Sequence, residues 1–184
     1  MAVDGPGGIG KTTVATGLIA ALRRAGLRPA SAKVGPDFID PGYHALASGR
    51  PPRNLDAWMC GPEAIGPLAA RAGADADVLV VEGVMGLFDG AADGTPTSTA
   101  DVAHTLRAPV VLVVDAGAMS GSVAALVSGV ARFAPRLDVA GVIRHSNRRR
   151  PARSLWLRRA ACSSTTDPAT ASRPATASSP APWS

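Results

Sequence analysis

Residues 5 to 12 read Gly-Pro-Gly-Gly-Ile-Gly-Lys-Thr, and this glycine run ending in Lys-Thr constrains the fold more than any other feature of the chain. It satisfies the spacing G-x-x-x-x-G-K-[ST], a loop whose backbone N–H groups can converge on phosphate oxygens. The residues after it have helical spacing: Val14, Leu18, Ile19, Leu22 and Ala25 fall on one stripe, Arg23 and Arg24 suit a helix C-terminus, and Gly26 can supply a left-handed cap. The helix N-terminus adds a partial positive charge that favours an anion. Gly7, Gly8, Ile9, Gly10, Lys11, Thr12 and Thr13 are therefore expected to cradle the phosphates of a nucleotide. Lys11 is expected to reach the β and γ phosphates, and the Thr12 hydroxyl to ligate Mg2+. A plain glycine-rich turn before a helix is the alternative, which the helical context disfavours. Only Met1 to Asp4 precede the loop, so the first strand is expected to be a clipped stub of Ala2 and Val3.

The rest of the chain alternates strand and helix signals. Val78 to Val81 and Val110 to Val114 are short β-branched runs bounded by turn residues, the pattern of strands covered on both faces. Val139 to Ile143 is a weaker strand signal, and another strand is expected to end near Lys33. Ala64 to Ala72, Ser98 to Leu106 and Val123 to Phe133 are helix candidates. This order predicts an α/β fold of the P-loop NTPase type, a doubly wound, mainly parallel sheet with helices on both faces.

The net charge of +5 over 184 residues suggests a nucleic-acid partner until it is divided along the chain. Residues 144 to 184 carry 8 arginines and one acid, whereas residues 1 to 143 carry 11 basic and 13 acidic residues, a balance of −2. The basic part is rich in Ala, Arg, Pro, Ser and Thr, a composition that cannot bury a core. It reads as a low-complexity tail, disordered or translated out of frame after about Ile143. The expected division is a nucleotide-binding domain over 1–143 and a tail over 144–184. Cys60 and Cys162 lack metal-ligand spacing, and no run of eighteen apolar residues occurs. No nucleic acid and no membrane are expected as partners, and the chain reads as cytoplasmic.

Glu82 directly follows the strand of Val78 to Val81, where a nucleotide-bound magnesium ion needs a carboxylate. Asp115 also closes a strand, but with Ala116 and Gly117 after it a turn or cap role is preferred. Lysine occurs only twice against 17 arginines, so Lys33, like Lys11, stands where a compact ammonium is wanted. It opens the run Lys33-Val34-Gly35-Pro36-Asp37-Phe38-Ile39-Asp40-Pro41-Gly42-Tyr43-His44. Taken alone, Asp37 and Asp40 there, and Asp89 before Gly90, would be ordinary turn residues.

The run KVGPDFIDPGYH, with Arg53-Asn54-Leu55-Asp56 and then Glu82-Gly83-Val84-Met85-Gly86-Leu87-Phe88-Asp89-Gly90, resembles the amide-forming domain of the cobyrinic acid a,c-diamide synthase family. The resemblance runs from about Ala2 to Ile143. It implies a fold similar to dethiobiotin synthetase and an enzyme that uses ATP to amidate the a and c side-chain carboxylates of a corrinoid through an acyl phosphate. It also implies that Thr12, Asp37 and Glu82 hold magnesium, and that Lys33, Asp37, Asp40 and Asp89 serve catalysis or orient the substrate and ammonia. Lys33 would neutralise charge on the transferring phosphoryl group. His44 receives no catalytic role, and Asn147 is a weak candidate for a base contact.

Related partition ATPases carry a signature lysine where this chain has Pro6, and related cobyric acid synthases lack the GPDFIDP run. The family's full-length enzyme ends in a glutaminase domain that supplies ammonia. Nothing around Cys162 resembles that domain, so the chain is expected to be a truncated form, and a homodimer is compatible with it. The competing expectation is a non-catalytic nucleotide-binding module of the same superfamily.

Overall fold

A computed structural model describes residues 1–5, 8–117 and 119–145. Gly7 of the loop and the expected tail beyond residue 145, with Asn147 and Cys162, lie outside the described residues. The order of elements is β1 (Ala2–Asp4), α1 (Lys11–Arg24), β2 (Pro29–Val34), α2 (Asp40–Ser48), β3 (Arg53–Leu55), α3 (Ala57–Cys60), α4 (Ile65–Ala72), β4 (Val78–Glu82), α5 (Thr99–Thr105), β5 (Val110–Asp115), α6 (Ser122–Phe133) and β6 (Val139–His145).

The six strands form one sheet in the order β3-β2-β4-β1-β5-β6, and every pairing is parallel. Parallel strands need crossovers, and the helices that make them cover both faces. On one face α4 packs Ile65 and Ala69, and α5 packs Val102, against Ala32, Val34, Leu55 and Val81. The same face continues over Ala2, Val110, Leu112 and Val114, covered by Ala100 and Ala103 of α5 and by Val123, Val127 and Val130 of α6. On the other face Ile19 of α1 meets Val80 and Val113, with Ala47 of α2 at its border. All six residues of β2 are buried, as coverage from both sides requires. The expected fold class is thus observed, including the short first strand.

The expected helices are present with shifts of a residue or two. The end of α1 follows the anticipated chemistry, with Gly26 at φ 87°. Helix α5 starts with a capping box in which Ser98 and Asp101 each bond the other's backbone N–H. Three elements are not anticipated by the sequence reading: α2, β3 and α3. Helix α2 escaped because Asp40-Pro41-Gly42 looks like a turn; proline is instead well suited to the first helical turn, where no N–H partner is lost.

The topology fixes where a site can form. Strand β1 lies between β4 and β5, so the loop leaving β1 emerges beside the end of β4. The register sets Lys33 opposite Glu82 across β2 and β4. Because Ala32, Val34 and Val81 face α4, Lys33 and Glu82 face α1 and α2. Among the described residues no helix is long and apolar enough to cross a membrane.

Candidate active site

The glycine-rich loop turns from β1 into α1 under tight steric control. A Cβ on Gly5 would lie 2.1 Å from the Val113 carbonyl oxygen and 2.5 Å from Ile9 Cδ1, so only glycine lets the loop cross β5 there. Gly10, at φ 86°, caps α1 without a side-chain hydrogen bond, which suits a helix start meant for an external anion. The buried Lys11 turns its ammonium onto backbone carbonyls, donating to Gly5 and to Met85, each at 2.5 Å. The Val84 carbonyl is 3.5 Å away.

Below the loop, three elements converge on Glu82 of β4. This carboxylate is fully buried. Its Oε1 lies 2.7 Å from the Thr12 hydroxyl at the start of α1 and accepts from Lys33 Nζ of β2 at 3.0 Å. Its Oε2 is 2.6 Å from His44 Nε2 of α2. Asp40, the first residue of α2, joins from the more open side: its Oδ2 accepts from Lys33 at 2.6 Å and lies 3.0 Å from the Thr12 hydroxyl. Asp37 Oδ2 is 3.6 Å from the same ammonium. Lys33 therefore serves three carboxylates.

Burial alone would raise the Glu82 pKa, but the bonds from His44 and Thr12 and the charge of Lys33 outweigh it, and Glu82 is held below the usual carboxylate range. Asp40 is likewise held low: desolvation is overcome by Lys33, with Thr12 helping. For Lys33 desolvation pulls downward, yet Asp40 and Glu82 win and keep its ammonium above the ordinary lysine value. Glu82, Asp40 and Lys33 thus hold one another in their charged forms.

Local sequence chemistry builds this arrangement. Asp37 Oδ1 accepts the N–H groups of Ile39 at 2.8 Å and Asp40 at 3.1 Å, which launches α2. Asn54 of β3 donates to the Asp37 carbonyl at 2.9 Å and ties that turn to the sheet edge. Pro41, His44 and Ser48 form the buried stripe of α2, bringing His44 one turn beyond Asp40 onto the same side. Asp37 is thus both a turn residue and a member of the cluster.

The structure brings Thr12, Lys33, Asp37, Asp40 and Glu82 together. It does not place Asp89 in that set of contacts: Asp89 Oδ2 accepts from the Gly86 N–H at 2.9 Å, closing its own exposed turn. Asp115 closes a turn as anticipated, accepting from the Gly117 N–H at 2.8 Å. His44 is the residue that sequence reasoning passed over. Its spacing of four from Asp40 would have marked it, had 40–48 been recognised as a helix.

These residues fit a magnesium ion by their donor chemistry and charge. Three carboxylates face one ammonium, which leaves negative charge to spare, and the Thr12 hydroxyl stands between two of them. Among the described residues no three His, Cys, Asp or Glu side chains form a preformed metal cage. Magnesium bound with phosphates needs only one or two protein carboxylates.

A family profile described as the CobQ/CobB/MinD/ParA nucleotide binding domain matches residues 1–155. The chain belongs to this family. A hydrogenobyrinate a,c-diamide synthase of Streptomyces coelicolor is 62% identical over 137 residues, covering 74% of this chain and 28% of that protein. The enzyme of the same name from Mycobacterium bovis is 58% identical over 160 residues, covering 84% of this chain and 35% of its own length. A cobyrinate a,c-diamide synthase of Syntrophotalea carbinolica is 50% identical over 177 residues, covering 95% of this chain and 38% of that protein. The chain spans about a third of the length of these relatives. Among solved structures, the signal recognition particle receptor FtsY of Elizabethkingia anophelis with GDP aligns at a TM-score of 0.55 and 15% identity, over 78% of this chain and 47% of that one. That likeness carries the fold alone.

Proposed function

We propose that this family member is an ATP-dependent amide-forming ligase acting on the a and c side-chain carboxylates of cobyrinic or hydrogenobyrinic acid, with residues 1–143 as the unit that carries the chemistry. The observation that carries the reading is the linkage of Thr12, Lys33, Asp40 and Glu82 through two shared carboxylate oxygens. Thr12 belongs to the phosphate-binding loop and Lys33 and Asp40 to the family-specific run, so the nucleotide end and the substrate end of the site are one hydrogen-bonded unit. The close relatives are named for this diamide synthesis.

A carboxylate is a poor electrophile, and bound MgATP would supply the γ-phosphoryl group that converts it to an acyl phosphate, from which ammonia displaces phosphate. The loop residues Gly7 to Thr13 would hold the phosphates, with Lys11 leaving its carbonyl partners for them. Thr12, Asp37 and Glu82 are the assigned magnesium ligands. Lys33 would offset negative charge where the substrate carboxylate and phosphoryl group meet, held in place by Asp40 and Glu82. Asp40 and Asp89 are assigned to orienting the substrate or the incoming ammonia.

The test is an assay of purified protein with hydrogenobyrinic or cobyrinic acid, MgATP and ammonium, following phosphate release and the mass of the ring. One or two mass increments of carboxylate-to-amide conversion, absent without ATP, are expected. Phosphate release indifferent to the ring acid would overturn the reading.

A further inference from the structure

A mainly apolar slot of about 290 Å³ opens at the carboxyl ends of β2 and β4, the strands that carry Lys33 and Glu82. The turn Gly35-Pro36, the short helix α3 and the segment that follows β4 enclose it, and Pro36, Ala57, Trp58, Val84 and Met85 form its walls. Two large side chains here stand in solvent: Trp58 is 70% exposed and Met85 47%. Neither contributes to the buried core, yet Trp58 is presented from a fixed backbone. Asp56 Oδ1 accepts the N–H groups of Trp58 at 3.0 Å and Met59 at 3.1 Å, and Asp56 is itself buried. The four-residue helix α3 is thereby held as a mount for its tryptophan.

The slot shares chain segments with the phosphate site. Met85 and Val84, which wall it, are the residues whose carbonyls face the Lys11 ammonium. Gly35, at its other side, lies two residues from Lys33, and a Cβ there would touch Val84 at 3.6 Å. The slot and the residues assigned to phosphoryl transfer are therefore borne on the same chain segments, at the ends of β2 and β4. Its lining is mainly apolar, with Asp56 and Thr97 as its polar members.

We infer that this slot grips the apolar face or edge of the corrin ring, with Trp58 and Met85 as its specificity-determining contacts, while a peripheral carboxylate reaches the Lys33 ammonium. The inference rests on the function proposed above. The ring is a large, partly conjugated, apolar disc with acidic arms, so a slot and an adjacent cation match its two chemistries. A volume of about 290 Å³ takes part of such a ring and leaves the remaining arms in water. Aromatic and thioether side chains suit a broad polarisable surface.

The experiment measures equilibrium binding of hydrogenobyrinic and cobyrinic acids, followed by ring absorbance in dialysis, and of MgATP by calorimetry. It compares the unmodified chain with Trp58→Ala and Trp58→Phe. Trp58→Ala is expected to weaken ring binding about tenfold or more, with MgATP affinity unchanged within about twofold, and Trp58→Phe is expected to restore most of the loss. Ring binding equal in Trp58→Ala and the unmodified chain would overturn the slot and leave the proposed function standing. An unmodified chain that binds MgATP but neither ring acid would overturn the proposed function and the slot with it. A Trp58→Phe variant as weak as Trp58→Ala would overturn the stacking role.

Discussion

His44 Nε2 lies 2.6 Å from Glu82 Oε2, and both side chains are fully buried. The other Glu82 oxygen is left to Thr12 and Lys33, so the histidine fixes which edge of the carboxylate faces the nucleotide end of the site. Replacing His44 with alanine removes that restraint and opens a cavity under α2. A loss of about 2–4 kcal/mol in unfolding free energy is expected from the vacated volume and the unpaired oxygen. If His44 positions Glu82, the magnesium concentration needed for half-maximal ATP turnover also rises. His44→Gln is expected to recover part of the magnesium response, and an unchanged response in His44→Ala would leave His44 a packing residue only.

Lys33 is the cation on which the three carboxylates depend. Lys33→Met keeps the length of the side chain and removes the charge, leaving Glu82 and Asp40 to repel one another in a largely buried place. Breaking one side of a buried ionic group typically costs about 3–5 kcal/mol, and urea unfolding is expected to show a loss of that order. Phosphoryl transfer should fall with it. A variant of unchanged stability would show that water replaces the ammonium.

The pH dependence of stability follows from the same cluster. Glu82 and Asp40 have lowered pKa values in the fold, so their stabilisation is present above the unfolded values of about 4.3 and 3.9 and is lost as pH falls through the folded values. Lys33 is raised, so its share is present below about 10.4 and is lost as pH rises through its folded value. The expected urea midpoint is therefore level in the neutral range and falls on the acid side below about pH 4. Glu82→Gln should flatten that acid limb; identical limbs in the two proteins would place the acid sensitivity elsewhere.

Asp37 combines two duties that one pair of substitutions can separate. Its Oδ1 accepts the Ile39 and Asp40 N–H groups in the turn that leads into α2, and its Oδ2 faces Lys33. Asp37→Asn keeps an oxygen for that turn, so stability is expected to change by less than about 1 kcal/mol, whereas Asp37→Ala should cost about 1–2 kcal/mol. If Asp37 also serves magnesium or phosphoryl transfer, both variants lose turnover alike. Full turnover in Asp37→Asn would confine the residue to building the helix.

The fold was legible because its strong signals are local. The glycine run with the helix behind it, and the valine-rich strands β4 and β5, carry their structure in a few adjacent residues. What stayed hidden depends on partners distant in sequence. Strand β3 is three residues long and exists because Ala32, Lys33 and Val34 of β2 pair with it. Helix α2 begins with residues that favour turns and is held by Asp37. The acids of the cluster could be nominated from the family run, but their meeting at Lys33 follows from the β2–β4 register. His44 needed the helix that the turn signals concealed. Asp89, nominated by the same family run, spends its carboxylate on the Gly86 N–H.

Lys11 offers the most direct test that the loop is a nucleotide site. Its ammonium bonds the Gly5 and Met85 carbonyls, partners that a polyphosphate would outcompete by charge. Binding then exchanges these contacts for phosphate and frees the segment at Met85. MgATP at about 100 times its dissociation constant should stabilise the fold by about 2.7 kcal/mol through mass action, read as a rise in thermal midpoint. Lys11→Ala removes the buried ammonium that bonds these carbonyls, so the variant is expected to lose most of that nucleotide-dependent rise. Thermal midpoints that rise equally with MgATP in both proteins would mean that the nucleotide does not engage Lys11.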